Sequence, residues 1–356
     1  MRSGRAAVAT VPLLLVLAVV APLVALARGA VAPGQADNEV TRLLEKLVVL
    51  APHHHGGLTV FALELRGTED ESDYASLDEG FRGGFVRVSD TGVVRQVTME
   101  NESARHWVFA MAGEVILGGK QNRMLREDVL LPPRSGPVTV PTYCVEQHRW
   151  AGHDRSKFRG GRGLGNYALR AKALAGAPQA RVWEQVDAEQ RRFRVDSATK
   201  DYAAVMDSPA VARELGAYRQ AFSRIWRPRS VGFVVAQGGR IVGADAFCNT
   251  RLFWKLRAKL IDSYAFDCLR RYGRYRPSLR QEDARKFLAG VYTARFRRLG
   301  SPGAGQKLSF RGSGVEGAAL VRQNATLHLH ASPGYRILPR PPRPPMPIVP
   351  HPEPRR

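Results

Sequence analysis

From Leu58 to Glu146 glycine, proline and aspartate cut the chain into short β-prone runs, with a break about every 8–14 residues. The runs are LTVFALEL (Leu58–Leu65), FVRVS (Phe85–Ser89), VVRQVTME (Val93–Glu100), WVFAMA (Trp107–Ala112), EVILGG (Glu114–Gly119), VLLP (Val129–Pro132) and VTVPTYCVE (Val138–Glu146). Only Ser76 to Phe81 interrupts them with a short amphipathic stretch. Such punctuation predicts an antiparallel β-rich part, a sandwich or barrel-like sheet.

The pattern then changes. A Gly-rich basic stretch, Lys157 to Gly165, reads as a linker, and helical periodicity follows at Gln179–Arg194 and Val211–Trp226. VGFVVAQGGRIVGADAF holds two β runs around Gly238-Gly239, a hairpin signal. Phe253, Leu256, Leu260, Tyr264 and Cys268 recur every three or four residues, so Thr250 to Tyr272 predicts a long amphipathic helix. A helix over Gln281–Arg298 and strands at Gly314–Val321 and Ala325–His330 complete the body. The order predicts an α+β fold. Its parts are a β-rich segment at 55–155 and an α/β segment at 166–330 that carries the helices, the hairpin and the long helix.

Both ends differ from this body. Arg2 and Arg5 precede an apolar run from Ala6 to Ala27 that closes on Ala25-Leu26-Ala27, the layout of a secretory signal over residues 1–27. Left uncut, the same run is long enough to anchor the chain in a membrane, so an exported protein, periplasmic, extracellular or anchored, is expected. Residues 334–356 form a tail in which the last eighteen positions hold nine prolines, a composition that favours extended polyproline II or disorder. Lys and Arg number 54 against 32 Asp and Glu, a net charge of +22, and most of it falls on the body. In an exported chain that charge attracts anionic lipid, wall polymer or phosphate-bearing ligands. No nucleic-acid-binding motif is present, so dedicated nucleic-acid binding is not expected.

Two stretches concentrate chemistry. In GEVILGGKQNRML, Gly118-Gly119 permits a tight turn, and Lys120, Gln121, Asn122 and Arg123 follow without an apolar spacer. Glycine-turn amides, two cations and two side-chain amides can form an oxyanion or phosphate cradle, although the P-loop spacing is absent. In TYCVEQHRW, continuation of the strand would place Cys144, Glu146 and His148 in one row. That row suits a thiol nucleophile with a base, or a metal, or simply a buried Cys beside a surface Glu and His. His53-His54-His55, after Pro52, reads as a solvated loop rather than a metal site. Cys248 and Cys268 stand at opposite ends of the long helix, roughly 30 Å apart at 1.5 Å per residue, and so do not pair easily, while a Cys144–Cys248 pair stays open in an oxidising compartment.

GGKQNRML, VPTYCVEQHRW, VWEQVD (Val182–Asp187), GFVVAQGGRIVGADAF and FWKLRAKLIDSYAFD occur in the same order as in one family. The chain resembles the ADP-ribosylglycohydrolase- and rhodanese-phosphatase-superfamily-associated protein domain from about His55 to Leu269. The resemblance implies a role near ADP-ribose or NAD-derived nucleotides and names no reaction or cofactor. By matching position it carries over Lys120, Gln121, Asn122 and Arg123, and Cys144, Glu146, Arg149 and Trp150. His148 departs from the pattern, standing where the family commonly has glycine.

Three functions of different kinds follow as expectations. In the first, Lys120, Gln121, Asn122, Arg123 and Arg149 hold a phosphate-bearing, ADP-ribose-like ligand, Trp150 stacks a base or sugar, and Glu146 orients a hydroxyl or acts as base. In the second, the chain is a non-catalytic cationic module that adheres to anionic envelope polymer or lipid. In the third it is an enzyme that uses Cys144 as nucleophile.

Overall fold

Asn38 starts the folded chain with a reciprocal cap. Its side chain accepts from the amides of Val40 and Thr41, and Thr41 Oγ1 accepts from the Asn38 amide. The computed structural model describes residues 37–67, 70–149, 158–271 and 278–334. The expected signal segment 1–27, Trp150 and tail residues 335–356 lie outside the described residues.

After α1 (Glu39–Lys46) the chain enters β1 (Leu47–His55) and β2 (Leu58–Leu65). Short elements follow: β3 (Tyr74–Ser76), α2 (Leu77–Arg82), β4 (Val86–Asp90), β5 (Gln96–Asn101), β6 (Trp107–Ala110) and β7 (Glu114–Gly118). Next come β8 (Arg123–Leu125), β9 (Val129–Leu131), β10 (Pro137–Cys144) and β11 (Phe158–Leu164). Four helices, α3 (Tyr167–Leu174), α4 (Gln179–Phe193), α5 (Tyr202–Met206) and α6 (Pro209–Ala221), lead to the hairpin of β12 (Ser230–Gln237) and β13 (Arg240–Phe247). Helices α7 (Thr250–Phe266) and α8 (Gln281–Tyr292) precede β14 (Arg295–Gly300), β15 (Gln306–Gly312), β16 (Val315–Arg322) and β17 (Ala325–Pro333).

The fold is α+β and its sheets are mostly antiparallel. One eight-stranded sheet runs β1-β2-β12-β13-β17-β16-β15-β14, a six-stranded sheet runs β11-β7-β8-β10-β5-β4, and a three-stranded sheet runs β3-β6-β9. Because β2 pairs with β12, the eight-stranded sheet draws strands from both the 55–155 and the 166–330 segments. Period-two alternation lets this sheet bury both faces. Phe61, Leu63, Val234, Phe310 and Leu329 share one core with Val40 and Leu43 of α1 and Leu288 of α8. Val60, Phe233, Val235 and Phe247 share the other with Leu252, Phe253, Leu256 and Leu260 of α7. All four α7 residues are fully buried, so Leu256→Ala should cost about 2–5 kcal/mol.

Several local readings give way to tertiary pairing. The glycine-rich stretch read as a linker is β11, which pairs with β7 and shifts register between Gly161 and Leu164. Gly163, at φ +97°, supplies the backbone freedom for that irregularity. The helix expected through Arg298 stops at Tyr292. From Arg295 onward, alternation brings Phe296 to 5.4 Å from Phe310 while its neighbours Arg295 and Arg297 stay exposed, which makes a strand. The three histidines expected in a loop end β1, where His54 Nδ1 lies 2.8 Å from Thr59 Oγ1 of the paired strand.

Candidate functional site

The turn between β7 and β8 forms as its glycines predict. Gly118 and Gly119 have φ of +117° and +57°, and a Cβ on Gly119 would stand 2.6 Å from the Phe158 ring. The turn carries Asn122 and Arg123 against the end of β10, so the two predicted stretches converge. Glu146 Oε2 accepts from the Asn122 amide at 3.0 Å, and Glu146 Oε1 accepts from Arg149 Nε at 2.7 Å.

Convergence here leaves few spare groups. Arg149 donates from Nη1 to the Gly119 carbonyl (3.0 Å) and from Nη2 to the Gly118 carbonyl (3.3 Å) and Asn122 Oδ1 (3.2 Å). Glu146 also accepts from Thr199 Oγ1 at 3.0 Å, and Asn122 Nδ2 donates to Asp201 Oδ2 at 3.0 Å. Gln121 and Asn122 are buried, and Gln121 Nε2 donates to the Gln147 carbonyl at 3.2 Å. Arg123 is wholly enclosed, with Nη1 on Gln121 Oε1 at 3.0 Å and Nη2 3.6 Å from Asp90 Oδ2. Burial pushes its pKa down against the pull of Cys144 and Asp90. Lys120 is half-buried, and its amide donates to Asp90 Oδ2 at 3.1 Å. The arrangement is a brace that fastens the turn to the strand end: Arg149 is engaged inside the protein, and Arg123 is sealed from solvent with Nε and Nη2 making no hydrogen bond among the described residues.

The thiol row does not form. β10 ends at Cys144, Glu146 turns inward to the brace, and His148 is exposed. Cys144 is buried with Sγ 3.1 Å from the Glu146 carbonyl, and burial pushes its thiol up. A thiol held protonated and enclosed is a poor nucleophile, which argues against a Cys144 enzyme. Cys144, Cys248 and Cys268 are all buried and form no disulfide among the described residues, so the Cys144–Cys248 bridge is not made. Trp150 lies outside the described residues. Among them no three His, Cys, Asp or Glu side chains are grouped as metal ligands.

A second polar cluster arises from strand register. Arg297 pairs with Ser309, Ser309 with Ala318, Ala318 with His330 and His330 with Asp245, so one row crosses five strands on one face of the eight-stranded sheet. Its neighbouring row runs Leu299, Lys307, Leu320, His328 and Phe247. Asp245 is fully buried. Its Oδ1 takes Arg170 Nη2 at 2.9 Å and sits 3.1 Å from both His328 Nε2 and His330 Nδ1. Tyr264 donates to its Oδ2 at 2.6 Å. Asp128, from the loop after β8, accepts from the Ala112 amide at 2.8 Å and lies 2.7 Å from His328 Nδ1.

Charge states follow from these partners. Burial opposes the charge on Asp245, but Arg170 and the two histidines hold its carboxyl well below the usual range. His328 stands between two carboxylates, and they overcome burial and push its pKa up to about 9. An ionised carboxylate only accepts, so both ring nitrogens of His328 carry protons. Burial instead keeps the pKa of His330 below its ordinary value despite Asp245.

This cluster borders a cavity of about 480 Å³. One wall is the β14–β17 end of the sheet, and the other is the Arg126–Asp128 loop with the C-terminal end of α3. Small residues at Ala112, Ala171, Ala173, Ala175, Ser309 and Ala318 leave the space unfilled. Asp128 and His330 line it, with five cations, Arg126, Arg295, Arg297, Lys307 and Arg311. Lys307 is 3.4 Å from Glu127 and Arg311 is 2.7 Å from Glu316. Arg126, Arg295 and Arg297 have no carboxylate within ion-pair distance among the described residues, and the Arg126 guanidinium lies 4.8 Å from the Tyr143 ring centre. Sequence reasoning overlooked all of these residues. The one available signal was His328-Leu329-His330 on a predicted strand, where alternation puts both imidazoles on one face.

Comparison with known protein families matches residues 46–332 to the ARG and Rhodanese-Phosphatase-superfamily-associated Protein domain. No curated protein and no solved structure matches.

Proposed function

Because the chain belongs to the ARG and Rhodanese-Phosphatase-superfamily-associated Protein family, we propose that it binds a phosphate-bearing, nucleotide-like ligand, and that the seat is the cavity beneath α3. The family is associated with ADP-ribosylglycohydrolases and rhodanese-phosphatases. The observation that carries the proposal is the set of three arginines, Arg126, Arg295 and Arg297, left without carboxylate partners around one hollow. Guanidinium groups match phosphate bidentately, and at about 480 Å³ the hollow lies within the range of small-molecule sites. The Lys120–Arg149 brace serves this reading indirectly, by holding β8 and the Arg126–Asp128 loop that follows it. If residues 1–27 act as an export signal, the ligand is one encountered in the envelope.

Calorimetry with ADP-ribose tests the proposal. Arg297→Ala and Arg126→Ala should each weaken binding about tenfold or more, and Lys120→Ala should leave it unchanged. No binding below millimolar by the wild type, or wild-type affinity in the doubly substituted protein, rejects it. Exposed Arg295, Arg297 and Arg298 on β14 favour a second reading, adhesion to an anionic envelope polymer or lipid. That reading predicts binding to polyphosphate or anionic vesicles that falls steeply with salt, with no saturable site for ADP-ribose.

A further inference from the structure

The cavity is not uniformly charged. Its sheet wall carries Arg295 and Arg297 on the outermost strand, whereas its inner end carries Asp128 and His330. Arg297 and His330 occupy the same cross-strand row, three strand spacings apart. Those spacings separate their backbones by about 14 Å, part of which an arginine side chain closes.

The inner end has a definite hydrogen-bonding character. Asp245 is a carboxylate and so only accepts, which requires His330 to carry its proton on Nδ1. Arg170 and the doubly protonated His328 already balance Asp245 and Asp128, and burial disfavours a further cation. His330 is therefore the neutral tautomer with Nε2 as an acceptor. Asp128 accepts from Ala112 and His328, and each of its oxygens keeps a second lone pair. The inner end thus offers a carboxylate and an imidazole acceptor. A phosphate placed there would meet the like charge of Asp128, at a cost that low-dielectric surroundings increase.

From this separation of donors and acceptors we infer that the cavity selects a phosphorylated sugar with vicinal hydroxyls and binds it in one orientation. The phosphate lies against Arg126 and Arg297, and the diol donates to the Asp128 carboxylate and His330 Nε2. The inference rests on the reading of the cavity as a phosphate-ligand site and adds which end of the ligand goes inward. A carboxylate spans two neighbouring hydroxyls with two charge-assisted hydrogen bonds, so loss of one hydroxyl leaves an oxygen unsatisfied.

The test compares ribose 5-phosphate with 2-deoxyribose 5-phosphate by calorimetry, in the wild type and in Asp128→Asn and His330→Gln. The wild type should bind the ribose compound at least tenfold more tightly. Each substitution should shrink that ratio below about threefold and change affinity for the deoxy compound little. Equal wild-type affinities overturn the inference, as does a ratio that survives both substitutions. If ADP-ribose and both sugar phosphates fail to bind the wild type, the phosphate-site reading itself has failed; if ADP-ribose binds and neither sugar phosphate does, this inference alone is overturned. Should Asp128→Asn lose both ligands through misfolding, the ratio in His330→Gln decides.

Discussion

Two buried ion clusters flank the three residues of β8, and they are built from the same residue types with opposite consequences. At the start of the strand, Glu146 and Arg149 exhaust each other and the carbonyls of Gly118 and Gly119. Past its end, Asp128 joins a network through His328 to Asp245, His330 and Arg170 that closes on itself on one side and meets a cavity on the other. A dense run of polar side chains is therefore a weak guide to a site. What distinguishes a binding surface from a brace is whether its donors and acceptors remain available once the fold has used them.

Substitutions put this contrast to the test. The largest effect is expected for Asp245→Ala, which leaves Arg170 and the His328 imidazolium buried without their shared anion. Urea denaturation should show a loss of about 3–5 kcal/mol. Glu146→Gln in the brace should cost about 2–3 kcal/mol by the same measurement, because it weakens charge-assisted bonds to Arg149, and it should leave ADP-ribose affinity unchanged. A change in affinity equal to that of Arg297→Ala would place the ligand at the brace and reverse the assignment.

Alkali acts on one cluster selectively. The folded pKa of His328 is raised to about 9, above its unfolded value of about 6.5, so its stabilisation is complete below pH 6.5 and fades as pH climbs through 9. Between pH 7 and 9 the wild type should lose about 1–2 kcal/mol from this group. Asp128→Asn removes one of the two carboxylates that raise the pKa and should flatten the dependence, which thermal melts across that interval would reveal. The smallest effect on stability belongs to Arg297→Ala, whose residue is exposed: within about 0.5 kcal/mol, although ligand affinity falls tenfold.

Legibility in the sequence followed the range of the determining interactions. The β12–β13 hairpin, the α7 stripe and the Gly118-Gly119 turn were readable because each is specified within a few residues. β11 and β14 were not, since glycine-rich FRGGRGL and arginine-rich RFRRLG become strands only against β7 and β15. The brace was legible as motifs, and even its convergence was expected, but whether Arg149 would be free depended on carbonyls about thirty residues away. The inner end of the cavity was hidden more deeply. Asp128, Arg170, Asp245 and His330 come from a loop, a helix and two strands, and only the order β13-β17-β16-β15-β14 aligns the cross-sheet row. No local periodicity encodes strand order.

The arginines of β14 have a consequence beyond the ligand. This strand is one rim of the eight-stranded sheet and β1 is the other. A neighbouring molecule adding its own β14 would bring Arg295, Arg297 and Arg298 beside their copies, and like charges resist that approach. On β1, Pro52 has no amide to donate, so the ladder there is interrupted for a different reason. Fibre growth is thus opposed by charge at one rim and by covalent structure at the other. Salt or polyanions can remove only the first of these barriers.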